Sequence, residues 1–269
     1  MSENTTKISP EEKVFFLSDP SSPDVKLVLC PPRVKPNGIG VVVCPGGGYG
    51  MLCSSYEGYE IADWLGGYGI TVAVLHYSIP GHHPEPMTQA QQAIRLLRAR
   101  ADEFWLRPDR IGIMGFSAGG HVASTAATHI RTADPTGRTN EERVSSRPDF
   151  QILIYPVITM GKFTHRGSRD NLLGPDPAPE LVDLLSNEKQ VTGDTPPAFV
   201  CHSTMDTAVS AENSRLYVAA LRRCGVPVEY LELTEGNHGL GCGKGPLWKA
   251  WQDACLPWLA GICPELKIS

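Results

Sequence analysis

Three residues far apart in the chain could together cleave an acyl bond: Ser117, Asp206 and His238. Ser117 lies in Gly115-Phe116-Ser117-Ala118-Gly119, a GxSxG pentapeptide of the kind that forms a nucleophile elbow, with the serine on a sharp turn between a strand and a helix. Glycines on either side leave room where strand and helix close around a serine in an unfavourable conformation. A Gly-Ser-Ala-Gly run also makes ordinary strand-to-helix loops, so context has to decide. Here residues 110–114 read as a short strand and residues 117–129 as an Ala-rich helix. A serine hydroxyl attacks well only when a base takes its proton, and imidazole titrates in the right range. His238 is the candidate base. Asp206 would accept a hydrogen bond from the other ring nitrogen, fixing the tautomer and stabilising the imidazolium that forms.

The alternatives to each assignment are ordinary. His238 could be a plain loop histidine, but it stands in the glycine-flanked turn Gly236-Asn237-His238-Gly239 after the last expected strand, at 227–233. His76 and His202 fall in or at the ends of strand-like runs, His82 and His83 in a loop, and His129 and His165 near polar loops. His121, one turn into the elbow helix, is placed to pack or orient. Among acids, Asp194 precedes its strand and Asp183 falls in a polar insertion, whereas Asp206 follows the end of a strand.

The elements that must bring these residues together can be read from hydropathy. Residues 39–44, 70–75, 150–157 and 196–202 are continuous apolar runs without polar alternation, as in strands buried on both faces. Residues 56–65, 87–104, 208–224 and 246–260 carry apolar positions at helical spacing. Strands alternating with helices predict a parallel sheet, and such sheets place their sites beyond the carboxyl ends of the strands. Two further strands at 14–17 and 25–30, joined by a turn at 19–23, predict an antiparallel edge after a flexible lead-in over 1–13. Residues 161–195, rich in Pro, Gly, Asp and Ser with one short helix around 181–185, read as a small cap segment within a single domain spanning 1–269.

The strand at 39–44 runs into Pro45-Gly46-Gly47-Gly48-Tyr49-Gly50. Consecutive glycines after a buried strand let backbone N–H groups face a ligand closely, as an oxyanion hole requires. The run lacks the Gly-Lys-Ser/Thr of a P-loop and fails GxGxxG at its last position, so phosphate and dinucleotide readings do not fit.

With 269 residues, 41% of them hydrophobic, the chain can bury one full core. A net charge of −5 without a Lys/Arg-rich run argues against nucleic acid as a partner. No stretch approaches a membrane span, and the polar N-terminal residues predict a cytoplasmic protein, although a processed secreted form would read the same. The eight cysteines include no CxxC pair and no zinc-like spacing with histidine, and most sit in apolar runs as reduced core thiols do.

The combination of Cys44-Pro-Gly-Gly-Gly-Tyr49, Gly115-Phe-Ser-Ala-Gly-Gly-His121, Pro196-Pro-Ala-Phe-Val-Cys-His202 before Asp206, and Gly236-Asn-His-Gly239 resembles α/β-hydrolases of the acetylxylan-esterase and feruloyl-esterase-like group, relatives of the hormone-sensitive lipase family. Segments 168–173, 186–191 and 195–197 of the cap resemble it too, so the likeness covers about residues 39–260. The chain order Ser, acid, His is that of the α/β-hydrolases. The resemblance implies an α/β-hydrolase fold, with a mostly parallel central sheet, helices on both faces and a small cap. It further implies a carboxylesterase acting on small acyl groups, often acetyl, carried by carbohydrates.

By position, Ser117 matches the nucleophile, Asp206 the acid and His238 the base, while the amides of Gly47, Gly48 and Ala118 match the oxyanion donors. Pro45 departs from the pattern, since lipase relatives carry His there and proline cannot copy its hydrogen bonds. Tyr49 and the cap are the expected walls of the substrate pocket, although an aromatic after a glycine run is as often packing as recognition. The expected reaction is acyl transfer to Ser117 and hydrolysis of the acyl-enzyme, which needs no metal or cofactor, on a small-molecule or oligosaccharide ester. An amide hydrolase of peptidase or arylformamidase type, a feruloyl esterase, or a non-catalytic binding protein on the same scaffold stay open at this level. Acyl length and oligomeric state are not legible in the chain.

Overall fold

The computed structural model describes residues 13–17 and 25–268. The predicted turn at 19–23 lies outside the described residues, as does the predicted lead-in except for Lys13. Eight strands form one sheet: β1 (Lys13–Phe16), β2 (Lys26–Cys30), β3 (Gly40–Cys44), β4 (Thr71–His76), β5 (Ile111–Phe116), β6 (Gln151–Ile154), β7 (Ala198–Ser203) and β8 (Val228–Leu233). Their order is β1-β2-β4-β3-β5-β6-β7-β8. β1 pairs antiparallel with β2, and β2 with β4, whereas all remaining pairs are parallel.

Alternating residues of the central strands feed two separate cores. In β3, Val42 and Cys44 face one core while Val41 and Val43 face the other. The first core is closed by helices α2 (Glu85–Ala99), α3 (Ser117–Thr128) and α6 (Glu212–Arg223), and the second by α1 (Glu60–Gly66) and α7 (Gly245–Ile262). Burial on both faces is why β3 to β7 are almost continuously apolar, whereas the edge strands β1 and β8 carry exposed charged residues. The result is the α/β-hydrolase fold. No disulfide joins the cysteines among the described residues, and Cys44, Cys201, Cys255 and Cys263 are buried. Among those residues, no helix is long and apolar enough to cross a membrane.

Three local departures from the sequence reading have physical causes. The helical run expected at 56–65 opens with a wider, π-type turn at Ser55–Tyr59 before α1 begins. The helix expected from 208 starts at Glu212; residues before it form a turn closed by Asp206, which accepts the amides of Ala208 and Val209 at 2.9 Å each. The segment 161–195 holds two α-helices, α4 (Arg166–Leu173) and α5 (Pro179–Leu184), and a short 3-10 turn at Asn187–Lys189. α4 is polar except at its end, so it carries no apolar periodicity to read.

That segment packs against the domain through polar anchors. Asn187 Nδ2 donates to Ser124 Oγ at 2.7 Å and to Thr125 Oγ1 at 2.9 Å on α3. Asn171 Nδ2 donates to the Gly48 carbonyl at 2.8 Å, which rests the end of α4 on the glycine loop.

Candidate active site

Ser117 begins α3 directly after β5 and holds φ at +50°, a left-handed conformation that non-glycine residues rarely adopt. The turn is this sharp because strand and helix touch almost backbone to backbone. A Cβ on Gly119 would stand 2.0 Å from the Cys44 carbonyl oxygen, and one on Gly115 would stand 2.2 Å from that of Gly119. The strain presents the Ser117 hydroxyl at the carboxyl end of the sheet.

The loops after β7 and β8 bring the other two residues to it. His238 Nε2 accepts from the Ser117 hydroxyl at 2.9 Å, and Nδ1–H donates to Asp206 Oδ2 at 2.6 Å. Three residues drawn from positions 117, 206 and 238 thus form one continuous hydrogen-bonded line. The Asp206 carboxylate is 1% exposed while the imidazole of His238 is 26% exposed, so the carboxylate is sequestered and the imidazole is partly open to solvent.

Asp206 is held as an anion. Burial works against its ionisation, but hydrogen bonds from His202, from His238 and from the Val209 amide outweigh it and keep the carboxyl well below the usual range. His202 contributes through Nε2–H, which donates to the Val209 carbonyl at 3.0 Å and lies 3.3 Å from Asp206 Oδ2, while its Nδ1 accepts from Ser214 at 2.7 Å. Asn237 couples the two loops. Its Oδ1 accepts from the His238 amide at 2.8 Å and from both the amide and the hydroxyl of Thr207 at 3.0 Å.

The glycine loop lies beside the elbow. Gly47 has φ +130°, and a Cβ there would stand 2.1 Å from the Met51 carbonyl oxygen, so only glycine fits. The Gly47 carbonyl accepts the amides of Gly50 and Met51 at 3.1 Å each, closing the turn. The amides of Gly47 and Gly48 donate to no group among the described residues. Ala118 is the second residue of α3, in the first turn, where helix amides lack an intrahelical acceptor. The Pro45 carbonyl accepts from the Tyr77 hydroxyl at 2.7 Å, so this proline anchors the loop through its oxygen.

Tyr49, expected as a wall of the substrate pocket, is instead a core residue with 1% exposure. Its φ of +63° turns the ring inward, where it lies against Tyr77 and donates its hydroxyl to His121 Nδ1 at 2.7 Å. His121 Nε2–H donates to the Leu185 carbonyl at 2.8 Å. Both ring nitrogens of His121 are therefore engaged, and burial pulls its pKa down to about 4.

Two residues beneath the site carry no signal in the sequence reading. Glu57 is 3% exposed, with Oε2 accepting the Gly46 amide at 2.7 Å and Oε1 accepting the Tyr155 hydroxyl at 2.8 Å. Burial raises its pKa, opposed by the Tyr155 and Gly46 hydrogen bonds and the nearby His238. The Tyr155 ring meets the His238 ring edge to face, 4.8 Å between centroids. Glu57 reads as one more acid in a helical run, and Tyr155 as the end of an apolar strand. A polar cavity of about 380 Å³ opens beside the acid loop between Phe163, Thr207 and Arg215, and neither Ser117 nor His238 lines it.

The fold and this site define an α/β-hydrolase with a Ser-His-Asp arrangement at the carboxyl end of its sheet. The chain belongs to the BD-FAE family, whose model matches residues 30–221. It is similar to endo-1,4-beta-xylanase B of Butyrivibrio fibrisolvens, 37% identical over 78% of this chain and 34% of that protein. It is also similar to an acetylxylan esterase of Xylanibacter ruminicola, 35% identical over 85% of this chain and 46% of that protein. The chain therefore spans less than half the length of these curated relatives. A crystal structure of an acetyl ester-xyloside bifunctional hydrolase from Caldicellulosiruptor lactoaceticus superposes with a TM-score of 0.90 at 38% identity, covering 96% of this chain and 98% of that one.

Proposed function

We propose that this protein is a serine carboxylesterase that removes short acyl groups, acetyl above all, from carbohydrate esters of the xylan type. Ser117 attacks the ester carbonyl as His238 takes its proton, and Asp206 holds the resulting imidazolium. The oxyanion is received by the amides of Gly47, Gly48 and Ala118, and His238 then protonates the departing alcohol. Water, deprotonated by the same imidazole, releases the acid. The observation that carries this reading is the unbroken line from Ser117 Oγ through His238 to the buried Asp206, at 2.9 and 2.6 Å. The substrate class is supported by the likeness to an acetylxylan esterase and to an acetyl ester-xyloside hydrolase.

The test is hydrolysis of p-nitrophenyl acetate, butyrate and octanoate, of acetylated xylo-oligosaccharide, and of an aminoacyl anilide, by wild type and Ser117→Ala. Acetate release that is fastest on the short esters, extends to the sugar and vanishes in the variant supports the assignment. Cleavage of the anilide alone would replace it with an amide hydrolase.

A further inference from the structure

Both oxygens of the buried Glu57 carboxylate are hydrogen-bonded, each to a different part of the proposed catalytic apparatus. We infer that Glu57 and Tyr155 are positioning residues that lock the glycine loop and the His238 imidazole into one register, an inference that rests on the esterase reading above.

On one side, Oε2 accepts the Gly46 amide at 2.7 Å. Gly46 is wedged in place: a Cβ there would lie 2.8 Å from Glu57 Oε2, 2.9 Å from the Phe116 carbonyl oxygen and 2.9 Å from Ser117 Cβ. Engaging the Gly46 amide leaves the next two, Gly47 and Gly48, to face a developing oxyanion. On the other side, Oε1 accepts the Tyr155 hydroxyl at 2.8 Å, and the Tyr155 ring supports His238 from 4.8 Å. Tyr155 is itself over-determined. It holds φ at +39°, its amide donates to the Cys201 carbonyl at 2.7 Å, and two residues on the Val157 amide donates to the Ser117 carbonyl at 2.9 Å. The π-type turn at Ser55–Tyr59 directs Glu57 inward, and such turns are often found at functional sites. A buried carboxylate is costly unless its oxygens are satisfied, so one that bridges the loop and the base is explained by what it aligns.

The test uses the intact protein. For wild type, Glu57→Gln, Tyr155→Phe and the double variant, kcat and KM on p-nitrophenyl acetate, the thermal midpoint and the low-field proton resonance of His238 Nδ1–H are measured. Glutamine has one acceptor oxygen where the carboxylate has two; phenylalanine keeps the ring against His238 and removes the hydroxyl. Each single variant should lower kcat about ten-fold at unchanged KM, within the roughly 10²-fold that a 1 Å misplacement can cost. Each should also shift or broaden the resonance. The double variant should fall no further than the poorer single, because both changes break one unit. Losses that multiply in the double variant, or a folded single variant with wild-type kcat and resonance, overturn the inference; if one variant fails to fold, the other decides. An inactive wild type, or full activity in Ser117→Ala, counts against the esterase reading instead. The resonance then still decides the positioning role, its loss supporting it and its retention in both variants overturning it.

Discussion

His238 Nδ1 stands 2.6 Å from Asp206 Oδ2 across 32 residues of sequence, and the two loops that carry them are tied by Asn237 as well as by the pair itself. This makes the imidazole and the carboxylate a preassembled unit against which the strained Ser117 is set.

Removing the base should abolish turnover while sparing the fold. His238→Ala is expected to lower kcat on p-nitrophenyl acetate by on the order of 10⁴-fold, with little change in the urea midpoint because the imidazole is 26% exposed. Asp206→Ala should lower kcat on a similar scale and also lower the urea midpoint, since it strips the Ala208 and Val209 amides of their acceptor. Equal midpoints for the two variants would contradict the structural role given to Asp206.

Asn237→Ala tests whether the loops need their tie. The change frees the His238 amide and both donors of Thr207, so kcat should fall about ten-fold with KM unchanged, measured on the same ester. A rise in KM alone would place Asn237 in substrate binding.

The glycine loop predicts a third outcome. Gly47→Ala places a Cβ 2.1 Å from the Met51 carbonyl oxygen at a φ that alanine rarely adopts. The loop must move, and with it the amides assigned to the oxyanion; a loss of about 10²-fold or more in kcat is expected, as for removal of one oxyanion donor. Activity within a factor of three of wild type would remove Gly47 from that role.

Acid should destabilise the protein through its buried histidines. Burial holds His121 neutral down to about 4, whereas an unfolded histidine titrates near about 6.5. Between those values the unfolded chain binds a proton that the folded chain refuses, so stability falls as pH drops through that window, by up to about 3 kcal/mol from this residue, and is level above it. His76, His83, His129 and His165 are shifted in the same direction, each chiefly by burial. Urea midpoints at pH 7, 6, 5 and 4.5 check this; a constant midpoint would mean that His121 is protonated in the folded state.

What could be read from the chain follows from what repeats in it. Strands buried on both faces are uniformly apolar, so β3 to β7 were legible, and GxSxG and the Gly-Asn-His-Gly turn are short-range patterns that marked Ser117 and His238. Asp206 was legible only through its place after a strand. Glu57 was not, because its partners Gly46 and Tyr155 lie 11 and 98 residues away and nothing local distinguishes it from a surface acid. An aromatic after a glycine run packs as often as it recognises a ligand, and sequence does not separate the two for Tyr49; in the structure a positive φ turns its ring onto His121. The polar α4 escaped notice because its anchor, Asn171 on the Gly48 carbonyl, is a tertiary contact.

The central claim is that Ser117 is a nucleophile activated by His238, and covalent labelling tests it most directly. Wild type and His238→Ala are treated with a fluorophosphonate, and the modified peptide is mapped by mass spectrometry. A single adduct on Ser117, formed orders of magnitude more slowly in the variant, is the expected result. No adduct on Ser117 in folded wild-type protein, or equal labelling rates in the two proteins, would contradict the claim.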